Sequence, residues 1–366
     1  MITFYPGPSK VYPQVEGYLQ DAFRSGILSM NHRSQGFMEV LRETIRLMHL
    51  KLNIPEDYSI YLVSSATEAW EIIAQSLTLH HSAHHYNGAF GKKWFSYASH
   101  IVPQSSGSLF SIEQTLTHHL FDHENDVVRA EFNRQRLRDY EVLCLTHSET
   151  SNGTHIRMEE LAKIRTMSDA LIAIDATSSL GGVAFDWALG DVWFASVQKC
   201  LGLPAGLGIM VCSPKTLEKA RQANDILRYN SLLFIHDNFE KYQTHYTPNT
   251  LGIYLLMRVM EQVDIIQEVG ARSEARAKAW YSFLENETDW RPLVQNPSTR
   301  SDTVIAVKGE PEAVSVVKKA ALSAGITLGN GYGEWKNNTF RIANFPAFED
   351  EEVAILKTFL KKRART

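Results

Sequence analysis

The sequence has few cysteines, no long apolar run and no surplus of charge of one sign. Three of its 366 residues are cysteines, Cys144, Cys200 and Cys212, and their spacing matches no paired metal-ligand pattern. An odd, widely spaced set does not suggest a disulfide framework, so we expect reduced thiols. No uninterrupted apolar stretch reaches the roughly 20 residues of a membrane-spanning helix. These shortages argue against a disulfide scaffold and against a membrane protein.

Charge and composition narrow the class further. Lysine and arginine number 37 against 41 aspartates and glutamates, so the formal net charge of -4 offers nothing specific to nucleic acid or an anionic membrane. The N-terminus MITFYPGPSK lacks the charged and apolar regions of a signal peptide, and we expect a cytoplasmic protein. With 44% hydrophobic residues the chain resembles ordinary globular proteins, and its length favours two domains.

Histidines are concentrated in the segment HHSAHHYNG, which carries His80, His81, His84 and His85. Pairs four residues apart on one helix face can hold a metal ion. No acidic or cysteine ligand accompanies them in this segment. We therefore predict a solvated helix end followed by a turn, and no metal site.

The most informative segment runs from residue 171 to residue 208. One apolar run of strand length ends on Asp175, and a second ends on Gln198 and Lys199 before a glycine-rich turn. A buried lysine loses its proton readily and attacks carbonyl groups, and a carboxylate can keep a pyridinium nitrogen protonated. The pair suits pyridoxal phosphate chemistry. Spacing alone leaves a structural ion pair at a sheet edge as the alternative.

Longer motifs carry a resemblance. SVQKCLGLPAGLG resembles the lysine segment of class V aminotransferases, most of all its phosphoserine aminotransferase version, with Leu203 interrupting the Gly-Pro pair. DATSSLGG resembles the segment of the cofactor-binding acid, and the similarity runs from FYPGPSKVYP to FRIANFPAFED. The resemblance implies an α/β protein of the PLP-dependent transferase type I fold, with pyridoxal 5'-phosphate as cofactor. It makes Lys199 the covalent attachment site and general acid/base, and Asp175 the partner of the ring nitrogen.

The same resemblance implies further contacts to the cofactor ring. Phe90, in NGAFGKKWF, falls where phosphoserine aminotransferases commonly have a tryptophan that stacks on the pyridine, and a phenyl face can do the same. Thr150 matches the threonine of the family's Asn-Glu-Thr segment, here Ser-Glu-Thr. Gln198, directly before the lysine, is expected to contact the cofactor.

Two other segments are implied at the cofactor phosphate. SSATE follows the strand SIYLVS and matches a capping box at a helix N-terminus, where free backbone donors favour an anion. The family places the phosphate against Ala66 and Thr67 there. Asn249 and Thr250 match an Asn-Thr pair that reaches the phosphate of the other subunit, which implies a homodimer with shared active sites.

The residues predicted to bind the substrate support two interpretations of what that substrate is. His32 and Arg33 match a pair that phosphoserine aminotransferases use at the anionic end of the substrate, and Arg341 matches the arginine that clamps the carboxylate. They favour O-phosphoserine with 2-oxoglutarate, giving 3-phosphohydroxypyruvate and glutamate in serine biosynthesis. Before Arg341, however, GNGYGEWKNNTF lacks a second His-Arg pair and offers only Lys336. This part resembles alanine-glyoxylate and serine-pyruvate aminotransferases, so small unphosphorylated amino acids are the alternative.

The domain organisation follows from the same comparison. We predict an N-terminal arm over 1–15, extended because of its prolines, a large cofactor-binding domain over 16–255 and a smaller α+β C-terminal domain over 256–366. A cysteine desulfurase is disfavoured because glutamine, not histidine, precedes Lys199 and no cysteine follows Cys212. A non-catalytic regulatory protein on the same fold is the alternative from another class, and the retained Asp175 and Lys199 argue against it.

Overall fold

Two β-sheets organise the chain in the computed structural model, which describes residues 1–109 and 140–363. The strands are β1 (Ile2–Phe4), β2 (Ser59–Val63), β3 (Ser82–Tyr86), β4 (Ser106–Leu109), β5 (Val142–Thr146), β6 (Ser148–Glu149), β7 (Thr154–His155), β8 (Leu171–Asp175), β9 (Val192–Ser196), β10 (Gly208–Cys212), β11 (Arg291–Pro292), β12 (Val304–Lys308), β13 (Ile326–Asn330) and β14 (Thr339–Ala343).

The helices lie between and around these strands. They are α1 (Val15–Ser25), α2 (Gln35–Leu52), α3 (Ala66–Ser76), α4 (Ala89–Ile101), α5 (Met158–Met167), α6 (Pro214–Ala223), α7 (Leu232–Phe239), α8 (Thr250–Gln262), α9 (Ile266–Asn286), α10 (Pro311–Ser323) and α11 (Asp350–Arg363). Across the described ranges, none of them is both long enough and apolar enough to cross a bilayer.

The larger sheet has the strand order β2-β10-β9-β8-β5-β3-β4. Neighbours from β9 to β4 run parallel, and β10 is antiparallel to both β9 and β2. Every residue of β5, β8, β9 and β10 is buried, as expected for strands covered by helices on both faces. The predicted fold class, α/β with a large mainly parallel sheet, is confirmed.

The smaller sheet has the order β1-β13-β14-β12-β11, and only its β1–β13 pair is parallel. The N-terminal segment thus contributes an edge strand to a sheet otherwise built from residues after 290. Helix α9 connects the cores of the two sheets, because Val269 packs into the large-sheet core and Trp280 into the small-sheet core. The boundaries 1–15, 16–255 and 256–366 stay predictions, and 110–139 and 364–366 lie outside the described residues.

The prediction of a solvated helix end in the histidine-rich segment was wrong. Its residues 82–86 form β3, a fully buried strand that pairs with β4 and β5. His84 is 2% exposed and its ring packs edge-on against Trp94, and burial lowers the pKa of His84 to about 3 and that of His85 to about 4. Neutral histidines act here as core residues. Strands distant in sequence supply the ladder, and the local pattern does not show them.

Candidate active site

A cavity of about 300 Å³ lies at the carboxyl-terminal edge of the large sheet. The parallel strands β5, β8 and β9 end there side by side, with Thr146 in register with Asp175 and Asp175 with Phe194. Ligands of open α/β sheets bind at this edge because the loops that follow the strands carry side chains into it. The cavity brings together most of the predicted site residues: Ala66, Thr67, Phe90, Thr150, Asp175, Gln198, Lys199 and Arg341.

Lys199 is a buried cation of the cavity, with 6% of its surface exposed. Its Nζ donates to Thr150 Oγ1 at 2.7 Å and to Ser178 Oγ at 2.9 Å. Burial lowers the pKa of Lys199 to about 8, and the negative charges of Asp175 and Glu149 limit the fall. A substantial fraction of the amine is therefore unprotonated near neutral pH, as a nucleophile or base requires.

The turn after β9 fixes the backbone of Lys199. Gly202 has a left-handed φ of +60°, and its amide donates to the carbonyl of Lys199 at 3.0 Å. Leu203, which interrupts the family's Gly-Pro pair, is 2% exposed and belongs to the large-sheet core. The additional leucine therefore anchors the turn in the core.

The N-terminal arm lies along this turn. The amide of Ser9 donates to the carbonyl of Gln198 at 3.0 Å. Gly7 has a φ of +146°, and a Cβ at this position would lie 2.9 Å from Lys199 Cε. Residues 5–8 line the cavity. A glycine is therefore required where the arm crosses the lysine.

Asp175 ends β8 and is 4% exposed. Its Oδ1 accepts the amide of Thr177 at 2.9 Å. Burial raises the pKa of Asp175, while interactions with Thr177, Lys199 and Trp70 act in the opposite direction. Within residues 1–109 and 140–363 the carboxylate forms no salt bridge. A cationic ring nitrogen would compensate its charge.

Helix α3 points its N-terminus at the cavity. Ser65 Oγ accepts the amide of Glu68 at 3.1 Å, and Glu68 Oε2 accepts the amide and hydroxyl of Ser64, each at 2.7 Å. The predicted capping box is present in a displaced form, because the glutamate returns to Ser64 and not to Ser65. The amide of Ala66 donates to Ser196 Oγ at 2.8 Å, which ties the helix to the end of β9. The helix dipole favours an anion here.

Phe90 lies in the first turn of α4, with its ring centroid 5.3 Å from Lys199 Nζ. Glu149 holds this helix end: Oε2 accepts the amides of Phe90 and Gly91 at 3.2 Å, and Oε1 accepts the amide and hydroxyl of Ser151 at 2.8 and 2.6 Å. Burial raises the pKa of Glu149, and the Ser151 and Gly91 hydrogen bonds oppose the rise. The sequence analysis assigned Glu149 no role, although it directly precedes Thr150.

Arg341 enters the cavity from β14 of the small sheet and is 4% exposed. Its Nη1 donates to the carbonyl of Thr150 and its Nε to the carbonyl of Asn330, both at 2.6 Å. Burial lowers its pKa. In the described part of the chain no carboxylate forms a salt bridge with it. A buried, fixed guanidinium of this kind is suited to binding a carboxylate ligand.

Four predicted site residues lie away from the cavity of their own chain. His32 and Arg33 are in the loop before α2, where Arg33 is exposed. Asn249 is the N-cap of α8, accepts the amide of Gly252 at 2.9 Å and is exposed, and Thr250 begins the helix. One chain does not bring these four residues to Lys199.

Several residues that the sequence analysis did not select complete the site. Ser178 bonds to Lys199, and its position in DATSSLGG was a usable signal. Other lining residues are Trp70, Lys93, Tyr97, Thr146, Thr177, Ser196 and Tyr332. Helical spacing could have identified Lys93 and Tyr97, which follow Phe90 by three and seven residues and so lie on its face of α4.

A sequence profile described as aminotransferase class-V matches residues 5–332. The chain therefore belongs to the class V aminotransferase family. Together with relatives that are phosphoserine aminotransferases, this indicates a PLP-dependent transaminase, and the predicted enzyme class is confirmed.

Within that family the chain is similar to phosphoserine aminotransferases. It is 28% identical to the one from Rhodococcus opacus, over 96% of this chain and 91% of the relative. The crystal structure of a phosphoserine aminotransferase from Cytophaga hutchinsonii has a TM-score of 0.89 at 30% identity and covers 99% of this chain and 98% of that one. An alanine-glyoxylate aminotransferase from Nostoc sp., at 20% identity and a TM-score of 0.82 over 99% and 94% of the two chains, shares the fold.

Proposed function

We propose that this protein is a pyridoxal-phosphate-dependent aminotransferase that converts O-phosphoserine and 2-oxoglutarate into 3-phosphohydroxypyruvate and glutamate. The observation that carries the proposal is one cavity holding a buried lysine of depressed pKa, a buried carboxylate and a buried guanidinium. The phosphoserine aminotransferases that match more than nine tenths of the chain support the substrate. The small-amino-acid alternative has in its favour a structural likeness that extends to the fold only.

The residues present fit the cofactor. Asp175 is a buried carboxylate that forms no salt bridge among the described residues, and a protonated pyridine nitrogen would supply a direct cationic contact. Thr146 Oγ1 is buried at the cavity and has no hydrogen-bond partner within the described ranges. The α3 N-terminus, at Ala66 and Thr67, would hold the phosphate, and the Phe90 ring would cover one face of the pyridine. Thr150 and Gln198 lie beside them.

When bound, the cofactor supplies an electron sink that stabilises negative charge at Cα of the amino acid. Lys199 would hold the cofactor, and its Nζ, once released by the incoming amino acid, would accept the Cα proton. A base with a pKa near 8 suits this transfer, because it is partly free at working pH and still accepts the proton. The hydroxyls of Thr150 and Ser178 orient Nζ, and Ser178 therefore acts on the proton transfer through Lys199.

Arg341 would bind the α-carboxylate of the substrate. Two of its five donors are fixed on backbone carbonyls, so the guanidinium plane is oriented before the substrate arrives. Because the guanidinium is buried, it would interact more strongly with a carboxylate than an exposed arginine does. The same contact would accept amino acids and 2-oxo acids alike, as both halves of a transamination require.

We further propose a homodimer in which each chain lends Asn249 and Thr250 to the cofactor phosphate, and His32 and Arg33 to the substrate, of its partner. All four residues lie outside their own cavity, and Arg33 and Asn249 are exposed. Isologous pairing of two chains is the commonest symmetric assembly. The cytoplasmic location stays a prediction.

A half-reaction assay tests the substrate. The cofactor-loaded enzyme is mixed with O-phosphoserine, serine or alanine alone, and the absorbance change from the pyridoxal to the pyridoxamine form is followed. We expect O-phosphoserine to convert the cofactor with the highest kcat/KM. Faster conversion by alanine or serine would replace the proposed substrate with a small neutral amino acid.

A further inference from the structure

The phosphate of O-phosphoserine needs cationic groups around it, and the proposed function names only His32 and Arg33, lent by the second chain, with no cation from the chain whose cavity holds the substrate. A phosphate dianion entering a partly desolvated cavity must be compensated by charge. Among the described residues, the cations that line the cavity are Lys93, Lys199 and Arg341. Lys199 carries the chemistry, and Arg341 is assigned to the α-carboxylate. Lys93 is left.

Lys93 lies on the cavity face of α4. Phe90, Lys93 and Tyr97 are separated by three and four residues, so they share one face of the helix, and all three line the cavity. The Lys93 side chain is exposed, and no hydrogen bond or ion pair to another described residue restrains it. Its long stem and point charge suit a mobile phosphate group. The 45% exposed Tyr97 offers a phenol donor one turn further along.

The other candidates are less well placed. Lys336, the sole cation of the segment before Arg341, is at the end of a 3₁₀ turn and does not line the cavity. Lys92 is exposed on a different face of α4 and is also absent from the lining. Asp175, at the end of β8, is the one acidic residue among the lining side chains of the described chain. Apart from Asp175, no described residue that lines the cavity therefore offers a carboxylate that would compete for Lys93.

We propose that Lys93 binds the phosphate of the substrate, assisted by the Tyr97 phenol, and so determines the preference for O-phosphoserine over uncharged amino acids. This inference rests on the proposed function and supplies the cation that the missing second His-Arg pair would otherwise provide. The residue is a specificity determinant and takes no part in the proton transfer.

The test is the half-reaction of Lys93→Gln, with Lys92→Gln as the matched control one residue away. We expect kcat/KM for O-phosphoserine to fall about tenfold or more in Lys93→Gln, as for the loss of a charged hydrogen bond. The loss should be mainly in KM. Reaction with alanine should be unchanged, Lys92→Gln should match the unmodified enzyme, and Lys93→Arg should recover part of the lost kcat/KM.

A second measurement distinguishes the two phosphates that enter this cavity. The dissociation constant of pyridoxal 5'-phosphate is determined for each variant by titration of the cofactor-free protein. Unchanged cofactor affinity with selective loss of O-phosphoserine supports the proposal. Weaker cofactor binding with equal losses for all amino acids would overturn it, because Lys93 would then serve the cofactor phosphate.

The same data separate failure of this inference from failure of the proposed function. If the unmodified enzyme reacts efficiently with O-phosphoserine and Lys93→Gln does so equally well, the inference is wrong and the proposed substrate stands. If the unmodified enzyme reacts with alanine or serine and not with O-phosphoserine, the proposed substrate is wrong, and the role of Lys93 falls with it.

Discussion

The pKa of Lys199 distinguishes this side chain from a lysine that is free in water. At pH 7.5 an amine of pKa 8 is about one quarter unprotonated, whereas an ordinary lysine of pKa about 10.4 is about one part in a thousand unprotonated. Burial produces this difference, and the cavity gives an aldehyde access to the amine. Because burial already leaves part of the Lys199 amine unprotonated, the amine can attack an aldehyde without a neighbouring base to remove its proton.

Reductive labelling should therefore be selective. Cofactor-free protein treated with pyridoxal 5'-phosphate and borohydride at pH 7.5 is expected to carry the pyridoxyl group on Lys199 and little on exposed Lys92, as read by peptide mapping. The initial labelling rate should rise with pH, reach half of its limiting value near pH 8, where the pKa of Lys199 lies, and level off above that as the amine becomes fully unprotonated. Lys199→Ala should remain folded by circular dichroism and lose turnover. Dominant labelling of another lysine would refute the assignment.

At the scale of elements, the start of α4 depends on a loop that is distant in sequence. Glu149 accepts four hydrogen bonds, two from the start of α4 and two from Ser151. Gly88 leaves room for this carboxylate, because a Cβ there would overlap Glu149 Cγ. The position of Phe90 over Lys199 is thus set by an acid about sixty residues further along the chain.

Glu149→Gln should loosen this helix start. An amide nitrogen cannot accept a hydrogen bond, so one side of the substituted side chain would face two donors, and we expect a loss of about 1–3 kcal/mol in the free energy of unfolding. Denaturant titration of the cofactor-free protein measures this loss, and weaker cofactor binding should accompany it. Glu159→Gln, an exposed position in the first turn of α5, is the control and should be nearly neutral. Equal stability of both variants would contradict the capping role.

The elements that sequence reasoning predicted share a physical property. β8 and β9 are short apolar runs that end on polar residues, and their pattern is complete within a few residues. The prediction for the segment that forms β3 failed because the burial of this strand depends on its pairing with β4 and β5. No local pattern around His84 and His85 indicates that pairing. The role of Glu149 was missed for the same reason. Local periodicity identifies strands and their polar ends, and it leaves cross-chain hydrogen bonds undetermined.

On the scale of the whole molecule, the site is assembled from both sheets and the N-terminal arm. Lys199 and Asp175 come from the large sheet, Arg341 from the small one, and residues 5–8 connect β1 of the small sheet to the lysine turn. The sequence motifs predicted Lys199, Asp175 and Arg341 as site residues, and they predicted an extended arm. These motifs could not predict the pairing of β1 with β13, because the two strands are more than 320 residues apart in the sequence.

Some predicted site residues lie outside the cavity of their own chain, and their position bears on how two chains assemble. Asn249 and Arg33 are exposed, and so are Ile226 at 67% and Leu227 at 93%, an apolar pair that a partner chain would cover. If Asn249 and Thr250 complete the partner's site, a Lys199→Ala chain and an Asn249→Ala/Thr250→Ala chain are each defective as homodimers for different reasons. In a mixed dimer both defects fall in one site, and the other site is intact.

Mixing the two variants after mild unfolding and refolding should therefore restore part of the activity that neither recovers alone. Sedimentation should show dimers in every sample. The control mixes Lys199→Ala with Asp175→Asn, whose defects lie in the cavity of their own chain, so each site of the mixed dimer keeps one defect and activity stays low. If the test pair forms mixed dimers and stays as inactive as the control, Asn249 and Thr250 act at their own chain's site, and an active monomer would likewise end the shared-site proposal.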